Sequence, residues 1–452
     1  QRRDFSDAVR LSVTSGTGRL KGMLARVIGI DEEEVFEKNG PLDINEFMRL
    51  SSLSGFDELR YPRWHHFESP SIPEEGPLWD TIKKHDVMLH HPFESFEPVV
   101  RLIRDAAADP SVLAIKMTLY RTSGDSPVVQ ALEQAAQAGK QVTVLVEIKA
   151  RFDEERNITW AERLEQAGVI IVYGIARLKV HAKALLIVRR EQNGIRRYLH
   201  LGTGNYNDKT ARLYTDVGLL TTRADLAYEA GLFFNAITGY SAIPALSKLV
   251  MAPVGLKTRL LQLIERETLR AQSDLQARIM AKLNSLADPE VIAALYEASR
   301  AGVEIRLTVR GICMLVPGVP GLSENIMVRS VVDRYLEHAR LLYFHNGGSP
   351  EIYASSADWM PRNLERRVEL LFPIEDEDAR NRVRFILETS CADNTNAHVM
   401  QPDGSYLPVT PGKGEQVVRS QELFYERAHE RAGAGDVANQ KVFEVRRKAP
   451  RA

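Results

Sequence analysis

The sequence predicts an α/β protein built as a tandem duplication, preceded by the end of a helical or α+β domain. Three observations carry this reading. Strand-like and helix-like segments alternate beyond about residue 80, the alternation occurs twice in the same order, and matching segments lie roughly 150 to 165 residues apart, about one domain each.

Residues 1–63 mix helix and strand signals and end in Tyr61-Pro62-Arg63-Trp64; Pro70, Pro73 and Pro77 then mark 64–80 as a linker. Val112 to Leu119, Val142 to Ile148 and Val169 to Tyr173 read as buried strands separated by helices. Ser126-Pro127 supplies an N-cap and a first-turn proline, Val128, Leu132 and Ala135 form one apolar face, and Ala138-Gly139 closes that helix before QVTVLVEI. The second copy repeats the grammar: Asp288-Pro289 opens, Ile292, Leu295 and Tyr296 pack, and Ala301-Gly302 closes before EIRLTVRG. LKVHAKALLIV then matches YLEHARLLYF, and LHLGTGNYNDKTARLYTDVGLL matches IYASSADWMPRNLERRVELLF. The halves are expected at 81–248 and 249–430. Two copies make a bilobed pair and not a solenoid, and the small, polar residues 431–452 read as a flexible tail.

Composition narrows the function classes. With 452 residues, 44% hydrophobic and 26% charged, the chain is ordinary globular material, which excludes disorder, collagen and coiled coil. Its 59 Lys plus Arg against 60 Asp plus Glu give no global field to hold a polyanion, so any anion site must be a local cluster. Cys313 and Cys391 are too few for a disulfide framework or a thiolate metal site, so the expected compartment is a reducing cytoplasm. No apolar run approaches the ~20 residues of a membrane helix. The start at Gln1, without Met or leader, reads as an interior cut of a longer protein.

Each copy places a histidine and a cation two residues apart, His181 with Lys183 and His338 with Arg340, in strand-like runs. Side chains two apart on a strand share a face, so each pair is delivered to one surface. A neutral imidazole can attack phosphorus while the cation neutralises non-bridging oxygens, and two pairs related by duplication would meet at one cleft, one histidine as nucleophile and the other as acid or base. A single His-x-Lys is a weak signal; its repetition is what gives it weight.

The paired H-x-K and H-x-R segments in duplicated α/β halves, with Gly202-Thr203-Gly204-Asn205 after the first, resemble the phospholipase D superfamily. More closely, DVMLHHPFESFEPVVRLIRDAA, IKMTLYRTSGDSPVV, EIKARFDEERNITWAERLEQAGV, KVHAKALLIVRR and HLGTGNYNDKTARLYTDVGLLT resemble the histidine-phosphorylating polyphosphate kinase family over about residues 1 to 430. That resemblance implies tandem phospholipase D-like domains, with residues 1–63 matching only the end of the family's helical domain and the family's N-terminal domain truncated away. It implies reversible transfer of the ATP γ-phosphate to inorganic polyphosphate, with ATP/ADP and polyphosphate as partners and Mg²⁺ as cofactor. It makes His181 the phosphohistidine and His338 the second, ATP-contacting histidine. Tyr214 and Arg310 match nucleotide-contacting positions, Asn205 the superfamily amide, and Arg121 and Arg151 the positions associated with the magnesium-bound phosphates. A guanidinium has donors and no lone pair, so Arg121 and Arg151 are expected to hold phosphate oxygens while Mg²⁺ rides on those phosphates. The resemblance also implies a homodimer or larger oligomer, peripheral to the membrane, with no nucleic acid partner.

Val188 stands where the phospholipases carry an aspartate, and Arg340 replaces their second lysine. Rival functions are a phospholipase D-like phosphodiesterase or phosphatidyltransferase and a non-catalytic polyanion-binding module. His181 could be a satisfied core histidine, His338 part of a surface ion network, Tyr214 a core aromatic and Gly202–Asn205 a turn. Arg310, ending a buried strand, requires a ligand phosphate or a carboxylate such as Asp216 or Glu369. His90-His91 diverge from one another and read as structural.

Overall fold

The computed structural model describes residues 8–51, 53–73, 75–120, 126–147, 154–175, 178–239 and 246–433. It divides into two compact units, Gln1–Trp64 and His65–Ala452. In the first, β1 (Leu11–Thr14) and β2 (Val35–Lys38) pair in parallel, connected through the helix Gly18–Ile28. Gly29 ends that helix at φ 68°, a left-handed position that glycine adopts without a Cβ penalty.

The second unit holds both copies. Lobe 1 contributes β3 (Val87–His91), β4 (Val112–Leu119), β5 (Gln141–Val146), β6 (Ile170–Tyr173), β7 (Lys179–Val180), β8 (Ala184–Glu191), β9 (Gly194–Gly202) and β10 (Tyr214–Thr221). Lobe 2 contributes β11 (Val250–Ala252), β12 (Arg278–Leu283), β13 (Glu304–Val309), β14 (Ile326–Val331), β15 (Leu336–Glu337), β16 (Arg340–Phe344), β17 (Glu351–Ser355), β18 (Arg367–Pro373), β19 (Ala397–Met400) and β20 (Tyr406–Pro408). The first sheet runs β10-β9-β8-β4-β5-β6 with β3 on β10. The second runs β18-β17-β16-β12-β13-β14, with β11 on β18 and with β19 and β20 extending its far edge. The two orders correspond strand for strand, and so do the directions, since β4-β5-β6 and β12-β13-β14 are parallel while the return strands are antiparallel.

The helices close the sheets as the sequence patterns require. Asp288 caps Pro289–Arg300 by accepting the N–H groups of Glu290 and Val291, both at 3.1 Å, and buried Val291 and Leu295 face Ile279 and Leu307 in the lobe 2 core. Pro127–Gln137 buries Val128, Leu132 and Ala135 against Ile115 and Val144 in lobe 1. Ser126 stands at its N-cap position, yet its hydroxyl has no hydrogen-bond partner among the described residues. From His65 on, the Pro-rich stretch read as a linker packs on this unit, for Phe67 is bridged to Glu94 and Phe67, Ile72, Leu78 and Trp79 are buried. The tail expected at 431–452 falls outside the described residues after Gly433.

One feature departs from two independent lobes. β7 leaves lobe 1 to pair in parallel with β18, and β15 leaves lobe 2 to pair in parallel with β10. Each lobe therefore adds a two-residue strand to the other's sheet just before its own histidine.

Candidate active site

The histidine segments are not continuous strands, which corrects the expectation that each pair simply lies along one strand. β7 ends at Val180 and β8 begins at Ala184; β15 ends at Glu337 and β16 begins at Arg340. The chain breaks because it is crossing from the other lobe's sheet to its own. The N–H groups of His181 and Ala182 both donate to the Val368 carbonyl, at 2.9 and 3.0 Å, and the Ala339 N–H donates to the Thr215 carbonyl at 2.8 Å. Both histidines are thereby fixed by backbone of the opposite lobe.

Their side chains are fixed the same way. His181 Nδ1 lies 2.9 Å from Glu369 Oε2 on β18, and His338 Nδ1 lies 2.8 Å from Asp216 Oδ2 on β10. Register makes these acids equivalent: Val368 pairs with Val180 and Thr215 with Glu337, so each acid sits one residue beyond the paired position. A carboxylate at Nδ1 selects the tautomer whose Nδ1–H donates to it, leaving Nε2 with the available lone pair. Each acid is held in turn. Ser356 Oγ donates to Glu369 Oε2 at 2.5 Å, Asn363 Nδ2 to Glu369 Oε1 at 2.9 Å, and Thr203 Oγ1 to Asp216 Oδ1 at 2.6 Å. Gly204 lets Asp216 in, because a Cβ there would come within 2.4 Å of Asp216 Oδ2.

The cations differ between the copies. Arg340 is buried and ion-paired with Asp358, Nη2 to Oδ2 at 2.9 Å, while its Nη1 donates to the His338 carbonyl at 2.9 Å and reaches His338 Nε2 at 3.3 Å. In the repeat, Asp358 corresponds to Asn205, a neutral residue whose Oδ1 has no partner among the described residues. Among the described residues Lys183 accordingly has no carboxylate ion partner; its ammonium donates to the His181 carbonyl and lies 5.8 Å from the Tyr120 ring centroid. Burial presses Lys183 down to about 7, with the Arg340 and Arg367 charges adding to the effect and Glu369 and Asp216 opposing it. Burial likewise pushes Glu369 up to about 6, against Lys183, Ser356 and Arg367. His181 is held well below the usual histidine range by burial and then by Lys183, Arg367, Arg340 and His338. It is a neutral imidazole at neutral pH, and the mutual influence of groups from both lobes marks one shared site.

The remaining expected residues resolve individually. Tyr214 opens β10 with its ring 5.1 Å from that of His338, so it belongs to the site. Arg310 follows β13, half-buried, but Asp216 and Glu369 do not pair with it, being engaged by the histidines; its Nε donates to Asn284 Oδ1 at 2.6 Å. Among the described residues no carboxylate pairs with Arg310, and its remaining guanidinium donors suit an anion. Asn205 lines a small cavity with Asp216, His91 and His200. Arg121 and Arg151 lie outside the described residues. His90 and His91 are buried on β3, where His91 Nδ1 donates to the Glu94 carbonyl at 2.9 Å. Sequence reading missed Asp216 and Glu369 as histidine partners and Asp358 as the partner of Arg340. The available signal was an acid at the same register of YTDVGLL and RRVELLF, each in an otherwise apolar strand.

Among the described residues no group of three His, Cys, Asp or Glu is placed to hold a metal ion. Asp216, Glu369 and Asp358 are each committed to an imidazole or a guanidinium, so this donor set does not form a protein-held Mg²⁺ cage.

Two α/β lobes of one topology, each delivering a histidine and a cation to a shared centre, define the tandem phospholipase D-like class. Residues 77–243 match the family described as Polyphosphate kinase C-terminal domain 1, and residues 249–421 match Polyphosphate kinase C-terminal domain 2. The chain belongs to the polyphosphate kinase family. It is 50% identical over 446 residues to a polyphosphate kinase of Rhodopirellula baltica, covering 98% of this chain and 52% of that one. With a polyphosphate kinase of Lactiplantibacillus plantarum it shares 46% identity over 438 residues, 96% of this chain and 61% of the relative. The crystal structure of polyphosphate kinase from Porphyromonas gingivalis superposes with a TM-score of 0.82 at 36% identity, covering 92% of this chain and 64% of that one. The chain thus spans about half to three fifths of the curated relatives it matches. No described helix is long and apolar enough to cross a membrane.

Proposed function

We propose that the chain carries the phosphotransfer centre of an ATP–polyphosphate phosphotransferase working through a phosphohistidine on His181. The observation that carries this is the crossed pairing, in which each imidazole is anchored through Nδ1 to a buried acid of the opposite lobe. Nε2 of neutral His181 attacks the γ-phosphorus of ATP, the bond to the β–γ bridging oxygen breaks, and ADP leaves with that electron pair. A terminal oxygen of the polyphosphate chain then attacks the same phosphorus, the P–N bond breaks, and its electron pair returns to Nε2. His338, with Asp216 to support its charged form, accepts the proton of the attacking phosphate and returns it in the reverse direction. Lys183 and Arg340 offset charge on the transferred group, and Arg310 and Tyr214 hold the nucleotide side. Mg²⁺ carried on the substrate phosphates would offset their charge, and in this reading Arg121 and Arg151 would grip those phosphate oxygens.

The test is labelling with ATP carrying a labelled γ-phosphate, mapped to a residue. Acid-labile, base-stable label on His181 is expected, lost in His181→Ala while nucleotide binding stays within a few-fold. Label persisting in that variant overturns the mechanism.

A further inference from the structure

The repeat sets Tyr120 in the place that Asn284 holds in the other lobe. Met117 pairs with Leu185 and Ala281 with Leu342, each partner four residues beyond its histidine, so Tyr120 and Asn284 stand at equivalent points just past β4 and β12. Asn284 organises its half by hydrogen bonds. Its Nδ2 donates to the His338 carbonyl at 3.2 Å and to Asp358 Oδ2 at 3.4 Å, its Oδ1 accepts from Arg310 Nε at 2.6 Å, and its N–H donates to Asp358 Oδ1 at 2.7 Å. Asp358, fixed in this way, balances the charge of Arg340.

Tyr120 gathers the equivalent groups around a ring instead. Its centroid lies 5.0 Å from that of the His181 ring, the two planes standing at 85° in a T-shaped contact. The Lys183 ammonium lies 5.8 Å from the same centroid, and that of Lys179 on β7 lies 5.1 Å from it. Both fall within the roughly 6 Å over which an aromatic face attracts a cation. A carboxylate attracts a cation with a full opposite charge and so cancels it, whereas a ring attracts through its quadrupole and carries no net charge. With Asn205 where lobe 2 has Asp358, the ring is what favours the Lys183 cation without neutralising it. A phosphoryl group on His338 would meet a guanidinium already balanced by Asp358; one on His181 meets an ammonium whose charge is intact.

We propose that Tyr120 is a positioning residue that fixes the His181 ring and holds the Lys183 ammonium beside it uncancelled, and that this difference from the Asn284–Asp358 arrangement directs the phosphoryl group to His181. The choice of histidine rests on the function proposed above; the hold on His181 and Lys183 does not.

The experiment varies position 120 of the 452-residue chain as Phe, as Leu, and as phenylalanines carrying successively more ring fluorines, which keep the ring but withdraw the negative potential of its face. Two quantities are read: the titration of Lys183 without nucleotide, by NMR of lysine labelled at Cε and assigned through Lys183→Arg, and the rate of His181 labelling by ATP carrying a labelled γ-phosphate. Tyr120→Phe should label within threefold of the parent, with the Lys183 midpoint in place. Labelling should slow with each added fluorine and by at least 30-fold in Tyr120→Leu, nucleotide affinity staying within threefold. The Lys183 midpoint should fall in the same order, by about half a pH unit or more in Tyr120→Leu. Asn205→Asp, which gives Lys183 the acid that Arg340 has, should raise that midpoint and slow labelling at least tenfold. A flat fluorine series, Phe and Leu variants that behave alike, or undiminished labelling in Asn205→Asp each overturns the proposal. The fluorine series decides the matter even if Tyr120→Leu fails to fold. A parent chain that takes no label defeats the phosphohistidine reading, and the Lys183 titrations still decide the role of Tyr120.

Discussion

At the scale of single residues the two copies are matched in their histidines and unmatched in their cations. Arg340 has Asp358 and keeps its charge at any working pH, whereas Lys183 has Asn205 in the equivalent place and is pressed down to about 7. A lysine with a lowered pKa is charged below that value and neutral above it. The kcat/KM profile of the free enzyme should therefore fall as pH rises through about 7, as the cation beside His181 is lost. In Lys183→Arg the charge no longer titrates, so the alkaline limb should move up by at least two pH units; an unchanged limb would show that another group sets it. Stability carries the opposite sign. Burial penalises protonated Lys183, so its contribution is most favourable above its ordinary 10.5 and is lost as pH falls from there to about 7.

At the scale of elements, the site depends on how closely two strands and a turn can approach. The turn after β9 brings Thr203 to Asp216 as a donor, and Gly204 leaves the space that the Asp216 side chain fills. Gly204→Ala should push Asp216 aside and misorient His338 while leaving the sheet intact. The expected result is a fall of about 10² in kcat, in line with the cost of misplacing a catalytic group, with KM for ATP changed little and an unaltered circular dichroism spectrum. Wild-type kcat in Gly204→Ala would mean that Asp216 does not position His338. The same elements show how far the sequence could be read. The helices opened by Ser126-Pro127 and Asp288-Pro289 were legible because their caps, apolar faces and closing glycines are local. The crossings of β7 and β15 were not, since a two-residue strand has too few positions to show a period and its partner lies some 120 to 190 residues away in sequence.

At the scale of the molecule, the exchange of β7 and β15 ties the lobes through buried charge as well as backbone. Lys282 on β12 ion-pairs with Glu337 on β15, both almost wholly buried, and Glu337 also accepts from Thr215 of lobe 1 at 2.8 Å and from Gln421. Removing one partner leaves an uncompensated buried charge, so Lys282→Met should cost about 3–5 kcal/mol by denaturant unfolding. With the lobes interlocked, His65–Gly433 should lose both in a single transition, and a stable lobe 1 surviving loss of lobe 2 would show that the crossing contributes little. By itself the sequence determined the duplication, the α/β order of each copy, the two His-x-cation pairs and the family, because repetition and local pattern are properties of the chain. Only the tertiary structure decided which acid serves which histidine. Asp216 and Glu369 look like isolated charges in apolar strands until β10 and β18 are seen to receive the other lobe's strand. That pairing is set by hydrogen bonds between segments far apart in sequence, which no local pattern encodes.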